Sequence, residues 1–297
     1  MKKLVSKQGK YMRTECKICS GNLSEEVKVY KDGLVYTMCT CEICGVLQTL
    51  EHYHALSPDY VELEEIDFNG SEAWCLMDHK LHAYIELAKK LRRRGIDLKG
   101  KRCLDVGCGS GSFLEYLSKE GANCFGFDLS NAHVEHAKLS TSTVQRCETV
   151  DEYCRIIGDD NLRFDIITLW DVFEHVRTPQ NLLYQLSKKL SPDGVIFLSV
   201  PAAGFSRLKI SINKILGRKD HSYLIPWEHV FYYSPLGLRM LQRQANLVEL
   251  DCYGITPYRR DISCKEIFRR IISTILNNRM LSPPQLGILM KLEDETS

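Results

Sequence analysis

From Arg102 onward, short apolar runs alternate with stretches whose apolar residues return at every third or fourth position. The runs at 102–107, 123–128, 143–147, 164–170, 194–200, 247–254 and 285–292 read as strands. The stretches at 111–120, 130–139, 148–157, 178–189, 234–245 and 262–279 read as helices. This alternation predicts an α/β fold, with a mostly parallel seven-stranded sheet and helices on both faces. A ligand then belongs at the carboxyl ends of the strands. Upstream, Glu72 to Arg94 carries apolar residues at helical spacing, closed by Arg92, Arg93, Arg94 and a glycine stop at Gly95. His52 to Gly70 is a polar, acid-rich connector.

The first strand runs into Asp105-Val106-Gly107-Cys108-Gly109-Ser110-Gly111-Ser112. Glycine at every second position lets a ligand approach bare backbone, and the following helix offers unpaired N–H groups. A dinucleotide turn of the form G-x-G-x-x-G needs glycine at 112, where the chain has Ser112. Asp105 would repel a pyrophosphate and suits a cofactor bearing an ammonium group, such as S-adenosylmethionine. Asp128, at the end of the second strand, is placed to accept hydrogen bonds from ribose hydroxyls or to cap the helix beginning near Asn131.

These residues resemble the class I S-adenosylmethionine-dependent methyltransferases, whose Rossmann-like domain would cover the chain from Lys101 on. The resemblance implies cofactor contacts from Asp105, Gly107, Gly109, Gly111, Asp128, Leu129 and Trp170. Phe164 to Val176 resembles the family's fourth-strand phrase, and Pro192-Asp193-Gly194 its turn before the fifth strand.

Composition adds one distinct module. Thirteen cysteines, an odd number spread along the chain, argue against a disulfide framework. Cys16-x-x-Cys19 and Cys41-x-x-Cys44-Gly45 are paired knuckles around a hairpin with Asp32-Gly33 at its turn. They predict a small N-terminal zinc ribbon with structural zinc on Cys16, Cys19, Cys41 and Cys44, an iron–sulfur cluster being the lesser alternative, and Cys39 as a spare thiol. The expected organisation is a ribbon at 1–55, a connector and helix at 56–100, and a catalytic domain at 101–297 with a lid at about 203–225. Net charge of +1 gives no general pull toward nucleic acid. No apolar run spans a membrane, and the basic start lacks a signal-peptide core, so the expected address is cytoplasmic. The basic amphipathic pattern at 262–279 leaves peripheral membrane contact open.

Two Glu-His pairs carry candidate chemistry. Asp171, Glu174 and His175 share a helical face if the loop winds, a spacing that suits a divalent ion. Ubiquinone-pathway O-methyltransferases and small-RNA 2′-O-methyltransferases have a comparable phrase. Glu228-His229, among Trp227, Phe231, Tyr232 and Tyr233, resembles the acceptor-facing phrase of sugar methyltransferases. That resemblance makes His229 the expected base, beside Glu228 and with His175 in reserve. The expected reaction is O- or C-methylation of a small acceptor, a nucleotide sugar or polysaccharide precursor. The alternatives are a quinone-like phenol or an RNA end, a nicotinamide-dependent reductase, and a non-catalytic S-adenosylmethionine sensor or scaffold.

Overall fold

The computed structural model describes residues 15–50, 76–139, 141–255 and 283–293. In chain order the ribbon gives β1 (Leu23–Lys31), β2 (Leu34–Cys41) and β3 (Leu47–Thr49), and α1 (Leu76–Arg92) follows. The larger unit continues with β4 (Arg102–Val106), α2 (Ser112–Lys119), β5 (Asn123–Asp128), α3 (Asn131–Ala137), β6 (Val144–Arg146) and α4 (Val150–Ile157). Then come β7 (Phe164–Trp170), a 3-10 turn at Phe173–His175, α5 (Pro179–Lys188), β8 (Leu190–Pro201) and α6 (Ala203–Ile215). The last elements are β9 (Phe231–Tyr232), α7 (Pro235–Gln244), β10 (Leu247–Ile255) and β11 (Gln285–Leu292).

The large sheet has seven strands in the order β10-β11-β8-β7-β4-β5-β6. Only β11 runs against its neighbours on both sides. Ile166, Ile167, Thr168 and Leu169 are all buried, as expected of a central strand covered on both faces. The carboxyl ends of β4, β5 and β7 bring Asp105, Asp128 and Trp170 to one edge. Every strand expected in this unit forms, with ends shifted by a few residues. Gly95, at φ 77°, ends α1 as its sequence predicts.

One expectation changes. Pro192-Asp193-Gly194 is not a turn before the fifth strand but part of β8. Its pairing with β7 jumps from Phe164–Leu190 to Ile166–Val195, so the residues between bulge out of register. The expected lid begins as the helix α6, and its Ala203 and Ile210 are buried with Val29, Tyr36 and Met38 of the ribbon hairpin. The basic helix expected at 262–279 lies outside the described residues. Among the described residues, no helix is long and apolar enough to cross a membrane.

The ribbon hairpin turns at Asp32 and Gly33, both with positive φ, the backbone that Asp-Gly provides. Its sheet is closed by the larger unit. The order is β1-β2-β3-β9, with Leu47 opposite Tyr232 and Gln48 opposite Phe231. One residue on, Tyr233 bridges to Ala202 at the end of β8. The short strand β9 thus joins the ribbon to the sheet edge.

Candidate active site

The glycine turn has left-handed backbone at three places: Gly107 (φ 65°), Gly109 (φ 54°) and Gly111 (φ 84°). A Cβ on Gly107 would stand 2.5 Å from Val172 Cγ2, and one on Gly111 2.8 Å from Ala137 Cβ. A Cβ on Gly109 would instead project into open space. Two glycines therefore serve packing, while Gly109 keeps a surface bare.

The two strand-end acids are in opposite states. Asp105 is 2% exposed and accepts a hydrogen bond from Thr168 Oγ1 at 2.7 Å. Burial pushes its pKa up to about 7. Burial also opposes charge on Asp128, but His133 and the N–H groups of Ser130 and Gly109 outweigh it and hold the pKa below the usual value. Those two N–H donors lie 2.9 Å from its oxygens. The helix cap itself is Ser130, whose Oγ accepts from His133 N–H. Asp128 thus ties the glycine turn to the start of α3.

Trp170 is buried among Tyr84, Phe113 and Phe197, with ring centroids 4.7 to 5.2 Å away. The Leu129 carbonyl accepts from Arg146 Nε.

Asp171 departs from the expected triad. It sits before the 3-10 turn with φ 57°, so it does not share a helical face with Glu174 and His175. Its carboxylate pairs with Lys80 at 3.1 Å and accepts from Ser199 Oγ and Gln285 Nε2. In its place the fold brings in His229. Glu174, His175 and His229 each offer a ligand atom, all within 4.8 Å of one another. The two imidazoles meet edge to face, centroids 4.8 Å apart.

His175 Nδ1 lies 3.1 Å from the Glu228 carbonyl oxygen, which only accepts. The proton therefore belongs on Nδ1, and Nε2 keeps its lone pair. His229 Nε2 is 3.9 Å from Glu174 Oε1, and its buried Nδ1 has no hydrogen-bond partner. Burial first, then His175, lowers the His229 pKa to about 3. Glu174 is 1% exposed, its Oε2 also lacks a partner, and burial raises its pKa well above the usual range. The Glu228 side chain turns away and accepts from Trp227 Nε1 at 3.0 Å.

Comparison with known proteins shows the family. A family described as a methyltransferase domain matches residues 77–250. The chain is 31% identical over 183 residues to a ubiquinone biosynthesis O-methyltransferase of Coxiella burnetii, covering 59% of this chain and 75% of that one. It is 30% identical over 169 residues to the protein of the same name from Alkalilimnicola ehrlichii, covering 54% and 65%. The chain belongs to the S-adenosylmethionine-dependent methyltransferases. At the level of fold, a putative S-adenosylmethionine-dependent methyltransferase from Listeria monocytogenes aligns with TM-score 0.50 and 16% identity, over 73% of this chain and 98% of that one.

The methyltransferase has a second cluster of ligating groups in its ribbon. Cys16 and Cys44 Sγ are 3.6 Å apart, and Cys19 and Cys41 Sγ 3.4 Å. The N–H groups of Ile18 and Cys44 point at the Cys16 and Cys41 sulfurs from 3.4 Å. Four thiolates on a tetrahedral zinc stand about 3.8 Å apart, as follows from Zn–S bonds of ~2.3 Å. The four sulfurs therefore fit zinc with little movement. Cys39 lies outside this group, on β2 opposite Gln48.

Sequence reasoning found both Glu-His pairs and did not join them. Nothing in local spacing links Glu174 to His229, because β8 and α6 lie between them. Lys80 was also missed; its one signal was a cationic residue within the expected helix.

Proposed function

We propose that this methyltransferase O-methylates a phenolic, quinone-type small molecule, with Glu174, His175 and His229 holding a divalent ion at the acceptor. The observation that carries this reading is the buried cluster of one carboxylate and two imidazoles, with Glu174 Oε2 and His229 Nδ1 unpaired. Buried polar groups without partners are rare, and a buried carboxyl group stays charged only with a cation nearby. Lys80 is already bound to Asp171. An imidazole whose pKa is about 3 stays neutral, which suits a ligand and makes a poor base near neutral pH. This reading therefore moves His229 and His175 from base to ligand. The names of the relatives favour a phenol over the nucleotide sugar.

A divalent ion supplies a Lewis acid that lowers the pKa of an acceptor hydroxyl, and S-adenosylmethionine supplies an activated methyl. The residues have the remaining roles. Gly109 leaves room for the cofactor against bare backbone. In this reading Asp105 pairs with its ammonium group once ionised, and the charged Asp128 takes its ribose. Tyr232, packed on His229 with centroids 5.5 Å apart, helps keep water from the acceptor. Zinc on the four ribbon thiols is structural.

The test is methyl transfer from labelled S-adenosylmethionine to catechols, polyprenylated phenols and nucleotide sugars, with and without chelator. Transfer to a catechol oxygen, lost on chelation and restored by magnesium or manganese, is expected. Transfer to a sugar that survives chelation would overturn the reading.

A further inference from the structure

The peptide that carries His229 is held from two sides, and one side is the ribbon. Thr49, at the end of β3, donates its N–H to the Val230 carbonyl at 3.0 Å. Its Oγ1 donates to the His229 carbonyl at 3.1 Å. From the other side, Val230 N–H donates to the Glu174 carbonyl at 2.9 Å. Thr49 is 1% exposed, so water does not compete for these bonds. The backbone of His229 is thus fixed between Glu174 and a residue of the cysteine module.

Thr49 is five residues beyond Cys44, and the knuckle Cys41–Cys44 is the turn between β2 and β3. Cys41 N–H donates to the Val46 carbonyl, and Thr40 pairs with Leu47, Cys39 with Gln48 and Met38 with Thr49. The geometry of that turn therefore sets where Thr49 stands. Backbone of both knuckles is also tied to the larger unit. Gln244 Nε2 donates to the Ile18 carbonyl, Gln180 Nε2 to that of Lys17, and Ser234 Oγ to that of Cys44.

We propose that Thr49 is a positioning residue for His229, so that metal on the four ribbon thiols and order in the His229–Tyr233 segment stabilise each other. What the coupling does for chemistry rests on the proposed place of His229 at the acceptor; the coupling itself does not. Linkage is reciprocal: whatever zinc contributes to the segment, the segment returns to zinc.

The test is hydrogen exchange by mass spectrometry on the full chain, following peptides over 229–233 against β4 as an internal reference. Stripping zinc with a chelator under reducing conditions, then removing the chelator, should speed exchange at 229–233 by tenfold or more and leave β4 unchanged; zinc alone should restore it. Thr49→Val keeps the shape and the backbone donor but loses the hydroxyl. It should speed exchange there roughly threefold to tenfold, the range for one hydrogen bond, and Thr49→Ser should reverse the change.

Manganese affinity, read by electron paramagnetic resonance, should weaken in Thr49→Val by a similar factor. Exchange at 229–233 that ignores both zinc and Thr49→Val would overturn the proposal. A protein that takes up no zinc would overturn the coupling. A wild-type protein that binds no manganese, yet shows the exchange changes, would sink the acceptor-metal reading and leave this one standing.

Discussion

Asp105 and Glu174 are buried acids whose burial has different consequences. Asp105 has a native pKa of about 7 against an ordinary 3.8. Between those values the native state keeps a proton that the unfolded chain has lost. Stability without cofactor therefore falls as pH rises from about 4 to about 7, at up to ~1.4 kcal/mol per unit, and then levels off. Asp105→Asn removes that slope. Urea denaturation at pH 5, 6, 7 and 8 should show the wild type losing ground to the variant until about pH 7. A constant difference across that range would mean that Asp105 is already ionised. Glu174→Gln separates structure from chemistry: glutamine has the same shape without the charge that burial opposes. Its melting temperature at pH 8 should match or exceed the wild type, while turnover falls by roughly a hundredfold or more if the carboxylate holds an ion. Lost stability with retained turnover would assign Glu174 to the fold alone.

The glycine turn, at the scale of an element, divides its labour. Gly109 and Gly95 have similar left-handed backbone, and a Cβ on either would meet nothing. Alanine at each should cost about 1–2 kcal/mol through backbone strain. Only Gly109→Ala should also weaken S-adenosylhomocysteine binding, by tenfold or more, because only that Cβ enters the cofactor's approach. Equal binding by both variants in calorimetry would remove Gly109 from the site. Much of this element was legible in the sequence, since positive φ and close approach both demand glycine and leave a visible mark. The strands were legible for a similar reason: β4 and β7 are short, mostly apolar runs whose interior residues are buried. The union of Glu174 with His229 was not legible, because tertiary pairing of β9 makes it and two residues carry no period. Asp171 misled for a local reason. Its helical spacing to Glu174 is correct in sequence, but a left-handed residue before a short 3-10 turn directs it to Lys80. The bulge in β8 was hidden because proline, aspartate and glycine read as a turn wherever they stand.

The whole molecule is organised so that the ribbon is a wall of the catalytic unit. Ile210, Leu224 and Tyr232 of the larger unit are buried against Val29, Tyr36, Met38 and Leu47 of the ribbon. Each fully buried side chain of this size contributes about 1.5–3 kcal/mol. The ion pairs across the same contact, Arg207 and Lys214 with Glu26 at 4.0 and 3.5 Å, have half-exposed cations and contribute about 0–1 kcal/mol each. Apolar burial therefore dominates, and high salt should not release the ribbon. Removing residues 1–50 would leave β9 without a partner strand and uncover the inner face of α6. The glycine turn, Asp105 and Asp128 all remain in such a chain. The shortened protein should bind a hydrophobic dye strongly and lose methyl transfer, while keeping measurable affinity for S-adenosylhomocysteine. Dye fluorescence, calorimetry and turnover on one preparation distinguish the outcomes. A monomeric, dye-silent and fully active product would show that the ribbon merely sits on the surface; loss of cofactor binding as well would show that β9 supports the central strands more than its two residues suggest.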